Sequence, residues 1–195
     1  MNTKAEIRSL VIARRNAIPA DERIARSEKA CEQLVRYLGR AVAPGARIAV
    51  YHALGSEVDV TPFVKNARSH GWTCAFPVMA RRGGDAKARM SFWDVPLDGT
   101  RRTFFDKPAR AVTPDDPSLA GCTPCGPREI DAVVVPMVAF DAGNMRLGYG
   151  GGNYDRFLRE LRSDAVVCGI AFREQKVEAV PTEPHDLALP KIIAA

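Results

Sequence analysis

Four of the five residues in Gly148-Tyr149-Gly150-Gly151-Gly152 are glycine, and this segment carries the strongest chemical signal in the chain. It follows the apolar, β-branched run Ile130–Val138 and precedes a stretch with Leu158 and Leu161 at helical spacing. Glycine lets backbone N–H groups come close to an anion, and a helix terminus behind the loop adds partial positive charge. With Arg146 and Arg156 flanking it, the pattern is that of a phosphate cradle. It is not the dinucleotide fingerprint, because Asn153 stands where that fingerprint needs its third glycine, and no Gly-Lys-Ser/Thr follows to make a Walker loop. The plainer alternative is a tight strand-to-helix turn with no ligand. The two flanking arginines weigh against it.

Three further sets of residues could act with this loop. Lys4, Arg8 and Arg15 fall within roughly 40° of one another on a helix of 3.6 residues per turn, which makes them a candidate clamp for a polyphosphate. A solvated basic face is the bland reading of such a stripe. Asp155 ends the glycine segment and Asp186 follows His185. Carboxylates beside a phosphate site are where Mg²⁺ is held, since this ion favours one or two carboxylates plus phosphate oxygens. A helix cap and a polar turn are the respective alternatives. Glu57 and Asp59 closely follow the apolar stretch Arg47–Tyr51. A carboxylate at the end of a strand can accept hydrogen bonds from the N–H groups of a heterocycle. That role suits Glu57, and helix capping suits Asp59.

The elements that must position these groups can be read from pattern. Residues 4–17 predict a helix that Ile18-Pro19 breaks. A second helix opens at Pro19 and stops at Gly39. Strands are predicted at 47–51, at 73–76 closing on Pro77, at 90–93, at 130–138 and at 165–172. Helices are predicted at 61–69, with Thr61 as cap and Pro62 at the first helical position, and near 154–162. Residues 94–128, full of Pro, Gly and Asp, read as mostly loop. Strands alternating with crossover helices give an α/β fold. Its mostly parallel sheet is flanked by helices in a Rossmann-like, three-layer arrangement, with a helical pair at the amino terminus.

The bulk properties narrow the function classes. The chain has 195 residues, 46% hydrophobic and 26% charged, which excludes a disordered or collagen-like chain. No apolar run approaches the ~20 residues that span a bilayer, and the start lacks a signal-peptide core, so a cytoplasmic location without a membrane role is expected. The net charge of +5 suits an anionic ligand. Five cysteines at 31, 74, 122, 125 and 168 make no disulfide framework, and the lone Cys122-Thr-Pro-Cys125 is a weak metal signal.

The segment Arg146-Leu147-Gly148-x-Gly150-x-Gly152-x-Tyr154-Asp155-Arg156, behind Pro136-Met137-Val138-Ala139-Phe140-Asp141, resembles the 5-formyltetrahydrofolate cyclo-ligases, also called methenyltetrahydrofolate synthetases. The similarity runs in order along nearly the whole chain. It includes Lys4-x-x-x-Arg8, Arg14-Arg15, Tyr51 to Glu57-Val58-Asp59, Gly71 with Phe76-Pro77, Gly169–Phe172 and Pro184-His185-Asp186. The resemblance implies a single catalytic domain over 1–195 and a reaction in two stages. ATP phosphorylates the formyl oxygen of 5-formyltetrahydrofolate. The N10 amine then attacks the activated carbon, and phosphate leaves to give 5,10-methenyltetrahydrofolate.

It also implies residue roles. ATP would be held by Lys4, Ala5, Glu6, Ile7 and Arg8 and by Arg146, Leu147, Gly148, Tyr149, Gly150, Gly151, Gly152, Asn153 and Tyr154, with Arg146 and Tyr154 nearest the chemistry. Folate would be held by His52, Glu57, Tyr149, Gly150, Gly151, Gly152 and Asn153. Mg²⁺ would be held by Asp155 and Asp186. The chain departs from the family pattern at Asn153, where an aromatic is usual, at Leu189-Pro190, where an acid is usual, and across 98–117. The implied partner is a small molecule, with no nucleic acid, for a monomer or homodimer. Two other classes compete: a nucleotide- or sugar-phosphate-binding enzyme of similar fold, and a basic nucleic-acid-binding module. The interleaving of basic and acidic residues along the chain disfavours the latter.

Overall fold

The run Ala132–Val135 is buried on every residue, as its unbroken β-branched character requires of a strand covered on both faces. In the computed structural model, which describes residues 3–81, 87–96, 105, 107, 108, 110–183 and 186–195, this run lies inside an eight-stranded sheet. The strands are β1 Arg47–Ala49, β2 Thr73–Ala80, β3 Arg89–Asp94, β4 Ala111–Val112, β5 Thr123–Cys125, β6 Ala132–Val135, β7 Ala139–Phe140, β8 Arg146–Leu147, β9 Val166–Ala171 and β10 Lys191–Ala194. The helices are α1 Lys4–Asn16, α2 Ala20–Ala41, α3 Thr61–Ala67 and α4 Asn153–Leu158. The sheet order is β10-β9-β6-β1-β2-β3-β5, with β4 beside β2 and with β7 and β8 forming a separate antiparallel pair. All pairings from β10 to β2 are parallel, and β3 runs antiparallel to both of its neighbours, β2 and β5, so the fold is mixed α/β with a mostly parallel sheet.

Successive strand residues divide between two cores. Ile48, Val50, Ala132 and Val134 face the layer of α2 and α3, where Leu34, Leu38 and Phe63 are fully buried. Ala49, Val133 and Val135 face the opposite layer with Phe92 and Phe157 of α4. The chain builds β1 to β3 in one direction and then β6, β9 and β10 in the other. The order therefore reverses between β1 and β6. Open α/β sheets bind ligands at such a switch point, beyond the carboxyl ends of the strands.

The two amino-terminal helices do not pack as a pair against one layer. α2 lies on the sheet, whereas α1 buries Ile7 and Val11 against Val138, Ala139, Leu147 and Val180. A capping box starts α1: Thr3 Oγ1 accepts from Glu6 N at 3.2 Å and Glu6 Oε2 accepts from Thr3 N at 2.7 Å. This seats α1 on the β7–β8 hairpin. That hairpin is knit by Asp141, whose carboxylate accepts from the N–H groups of Gly143 (2.9 Å), Met145 (3.1 Å) and Val180 (3.0 Å).

Several expectations are corrected. α2 passes Gly39 and ends at Ala41; a Cβ on Gly39 would lie 4.0 Å from the Trp72 ring. Thr61 is the first residue of α3 rather than its cap, and Asp59 Oδ1 takes the Thr61 N–H at 2.9 Å. β2 runs through Pro77, which sits between the stretch paired with β1 and the stretch paired with β4, where a missing N–H breaks no ladder on that side. The long apolar strand stops at Val135, because Pro136 cannot continue the ladder. α4 ends at Leu158, where the chain tightens into a turn with Glu160 N on Phe157 O at 3.0 Å. β7, β8, β10 and the short β4 and β5 had no counterpart among the predicted strands. The predicted loop of 94–128 falls partly outside the described residues, as does His185.

Candidate active site

Several of the groups singled out by residue type gather around the glycine loop and the turn that follows β1. The glycine loop supplies the floor. Gly150 has φ +102° and Gly152 has φ +62°, left-handed values that a side chain would strain. A Cβ on Gly150 would lie 3.4 Å from Arg8 Nη2, and one on Gly152 would lie 3.1 Å from Arg156 Nη1. Two guanidinium groups thus lie against the bare backbone. Arg8 Nε donates to Gly148 O at 2.8 Å, and Arg156 Nη2 donates to Gly151 O at 2.9 Å. With only six residues in α4, these arginines contribute more positive potential than the helix does.

Cations and carboxylates are paired around this floor. Arg146, 7% exposed, donates from Nη2 to Asp155 Oδ1 at 2.7 Å, and Asp155 remains 32% exposed. Lys4 Nζ donates to Glu183 Oε1 at 2.8 Å and to Asp186 Oδ2 at 3.3 Å. The Glu183 bond is the main reason its ammonium is held above the usual lysine range. Asp155 and Asp186 thus each sit beside a cation assigned to phosphate. Among the described residues, no three His, Cys, Asp or Glu gather as a metal cluster. Asp155 and Asp186 offer hard oxygen donors of the kind that Mg²⁺ takes beside phosphate.

The folate-side residues lie at the end of β1 and in the loop. Tyr51 donates to Val58 O at 2.6 Å and closes the acidic turn. Inside it Glu57 is buried, and its Oε2 accepts from Leu54 N at 2.9 Å. Burial pushes the Glu57 carboxyl above its ordinary range, against the Leu54 N–H, the Arg15 charge and the Tyr149 hydroxyl, which favour the anion. Tyr149 keeps half of its surface exposed while its hydroxyl is pinned. His52 stacks on Phe105 at 4.6 Å between ring centroids. Asn153 accepts from Arg156 Nη2 at 2.6 Å, and its amide lies 3.9 Å from Met79 Sδ at the end of β2. Tyr154 is half-buried and edge-on to Phe92, with a buried hydroxyl that has no partner among the described residues and whose ionisation burial strongly opposes.

Not every residue of the sequence pattern reaches the site by its side chain. Ile7 and Leu147 belong to the core under α1, Glu6 closes the capping box, and Ala5 is exposed. Arg15 departs from the stripe: it is 2% exposed and bonded to Ser56 and Tyr149, not aligned with Arg8 for a polyphosphate. Pattern reading missed Glu183, Ser56, Met79 and Phe105, which lie far from the glycine segment in sequence and follow no motif. All five cysteines are free, and burial raises the Cys125 thiol to about 12.

The family model described as the 5-formyltetrahydrofolate cyclo-ligase family matches residues 1–195. A 5-formyltetrahydrofolate cyclo-ligase of Mycolicibacterium smegmatis is 26% identical over 191 residues, covering 98% of this chain and 93% of that protein. One of Escherichia coli is 24% identical over 185 residues, covering 94% and 96%. The solved 5,10-methenyltetrahydrofolate synthetase of Mycoplasma pneumoniae superposes with a TM-score of 0.74 over 98% of both chains, at 24% identity, and so shares the fold. No helix among the described residues is long and apolar enough to cross a membrane.

Proposed function

The chain belongs to the 5-formyltetrahydrofolate cyclo-ligase family, and from that premise we propose that it converts 5-formyltetrahydrofolate to 5,10-methenyltetrahydrofolate, consuming ATP and releasing ADP and phosphate. The observation that carries this reading is the join of two half-sites across one loop. The backbone of residues 148–152 lies against Arg8 and Arg156, while Tyr149 in the same loop reaches the buried Glu57. A phosphate floor and a heterocycle acceptor therefore share one segment, as direct transfer between two substrates requires.

Phosphoryl transfer demands positioning and charge neutralisation more than covalent chemistry. Lys4, Arg8, Arg146 and the loop N–H groups of Leu147–Tyr154 bind the triphosphate. Glu57 accepts the ring N–H groups of the folate, with His52, Tyr149 and Asn153 beside it. Tyr149 offers the open face of its ring for stacking. Arg146, paired with Asp155 at the end of the loop, holds the transferring group in line. Asp155 and Asp186 hold Mg²⁺, which when bound neutralises charge on the phosphate oxygens. Ring closure needs no nucleophile from the protein, since the folate N10 supplies it. The reading is of a cytoplasmic enzyme, monomer or homodimer, with ATP and the folate as its small-molecule partners.

The direct test is near-ultraviolet absorbance of the purified protein with 5-formyltetrahydrofolate and MgATP. A rise that disappears when ATP or Mg²⁺ is omitted is expected; no rise from folded protein that still binds ATP would assign it another substrate. Lys4→Ala and Arg8→Ala are each expected to weaken ATP binding about 10- to 100-fold, the worth of one charge-assisted hydrogen bond. Equilibrium dialysis checks this, with circular dichroism confirming the fold. Unchanged ATP affinity in both would remove α1 from the nucleotide site.

A further inference from the structure

Arg15 shares a helix face with Lys4 and Arg8 but is built into a different network. Its side chain leaves α1 for the interior, where Nε donates to Ser56 Oγ at 2.9 Å and Nη2 donates to Tyr149 Oη at 2.8 Å. Ser56 Oγ donates onward to Asn16 Oδ1 at 2.5 Å. The Tyr149 hydroxyl faces the Glu57 carboxyl and favours its anion. The third guanidinium nitrogen, Nη1, is buried and has no partner among the described residues. As a means of fastening α1 to the loop this is a poor choice, because a methionine or leucine would fill the volume with no donor left unmatched.

We infer that Arg15 is a positioning residue for folate recognition, which through its bonds to Ser56 and to the Tyr149 hydroxyl holds the turn that carries Glu57 in place and fixes the plane of the Tyr149 ring. This rests on the cyclo-ligase reading of the site. The groups that face Glu57 are Arg15 from α1, Tyr149 from the glycine loop, Tyr51 at the end of β1 and Tyr154 from α4. Of these only Arg15 is charged at neutral pH. Burial alone would leave Glu57 protonated further up the pH scale, and a protonated carboxyl is a poor acceptor for two ring N–H groups. The same hydroxyl bond holds Tyr149 while half of its surface stays open. One guanidinium thus organises both the hydrogen-bonding edge and the stacking face that a flat heterocycle needs.

The test is the ionisation of Glu57, followed by carbon-13 NMR of its labelled carboxyl in the unliganded protein and by the acid limb of kcat/KM for 5-formyltetrahydrofolate. Arg15→Met is expected to raise both midpoints by about one pH unit, the effect of removing an opposite charge at this range. Arg15→Lys should restore most of the shift. Tyr149→Phe leaves the Ser56 bond intact and should move both midpoints upward by less, which keeps the test open if Arg15→Met does not fold. Midpoints that coincide with the wild type in Arg15→Met and Tyr149→Phe, or in Tyr149→Phe alone where Arg15→Met does not fold, with only thermal stability lowered, would reduce Arg15 to a structural tie. Because the NMR midpoint needs no substrate, wild-type protein that fails to turn over the folate would overturn the cyclo-ligase reading without deciding the Arg15–Glu57 coupling.

Discussion

Asp155→Asn is expected to lower turnover of 5-formyltetrahydrofolate about 10³-fold, close to 4 kcal/mol of transition-state stabilisation and the scale of a lost metal ligand. The substitution is nearly isosteric, and its amide oxygen can still accept from Arg146 Nη2, the partner now 2.7 Å away. What changes is the charge offered to a cation. If Asp155 served only as an acidic residue in the first turn of α4, its loss would cost about 0.3–1 kcal/mol of stability and nothing specific in rate. The two roles separate cleanly in one experiment. Initial rates across a Mg²⁺ titration should show a raised Mg²⁺ requirement alongside the lower ceiling, while the melting temperature moves by no more than a few degrees. Parallel losses of rate and stability would make Asp155 a cap. Asp186 provides the internal comparison, since it holds Lys4 as Asp155 holds Arg146.

What could be read from sequence follows from what is local. The burial of β6 is written in Ala132–Val135, and the helix of α1 in the residues from 4 onward and in the Ile18-Pro19 break that ends it. The glycine loop was readable because close approach of backbone to cation requires glycine at Gly150 and Gly152 themselves. Long-range choices were not readable. β10 has four residues and gains its strand character only by lying parallel to β9. The hairpin of β7 and β8 depends on Asp141, whose reach to Val180 no window of sequence contains. Arg15 shows the same limit within the site. Helical angle alone groups it with Lys4 and Arg8, and the packing of α1 on the hairpin gives its guanidinium to Ser56 and Tyr149 instead. Periodicity names the face of a helix, while tertiary contact decides what meets each turn of that face.

Glu57→Gln gives the second large effect, and its sign differs between activity and stability. Two hydrogen bonds from a heterocycle to a carboxylate become bonds to a neutral amide, one end of which donates where an acceptor is needed. The expected loss in kcat/KM for the folate is about 10²–10³-fold, at about 1.5–3 kcal/mol for a hydrogen bond to a charged group. KM for ATP should stay within about twofold, because Glu57 lies on the folate side of the loop. The acid limb of kcat/KM should vanish, since glutamine does not titrate. Stability should run the other way. Burial is the main cause that raises the folded-state pKa of Glu57, so the wild-type residue favours the fold most below the unfolded glutamate pKa and loses that contribution as pH rises through the folded value. At neutral pH the glutamine variant is therefore expected to match or exceed the wild type in denaturant midpoint, and that margin should shrink as pH falls through the Glu57 value. A variant that keeps kcat/KM within tenfold of wild type would place the heterocycle elsewhere. One that loses activity and stability together at neutral pH would mean that the buried carboxylate holds the Arg15–Tyr149 network up rather than waiting there for a ligand.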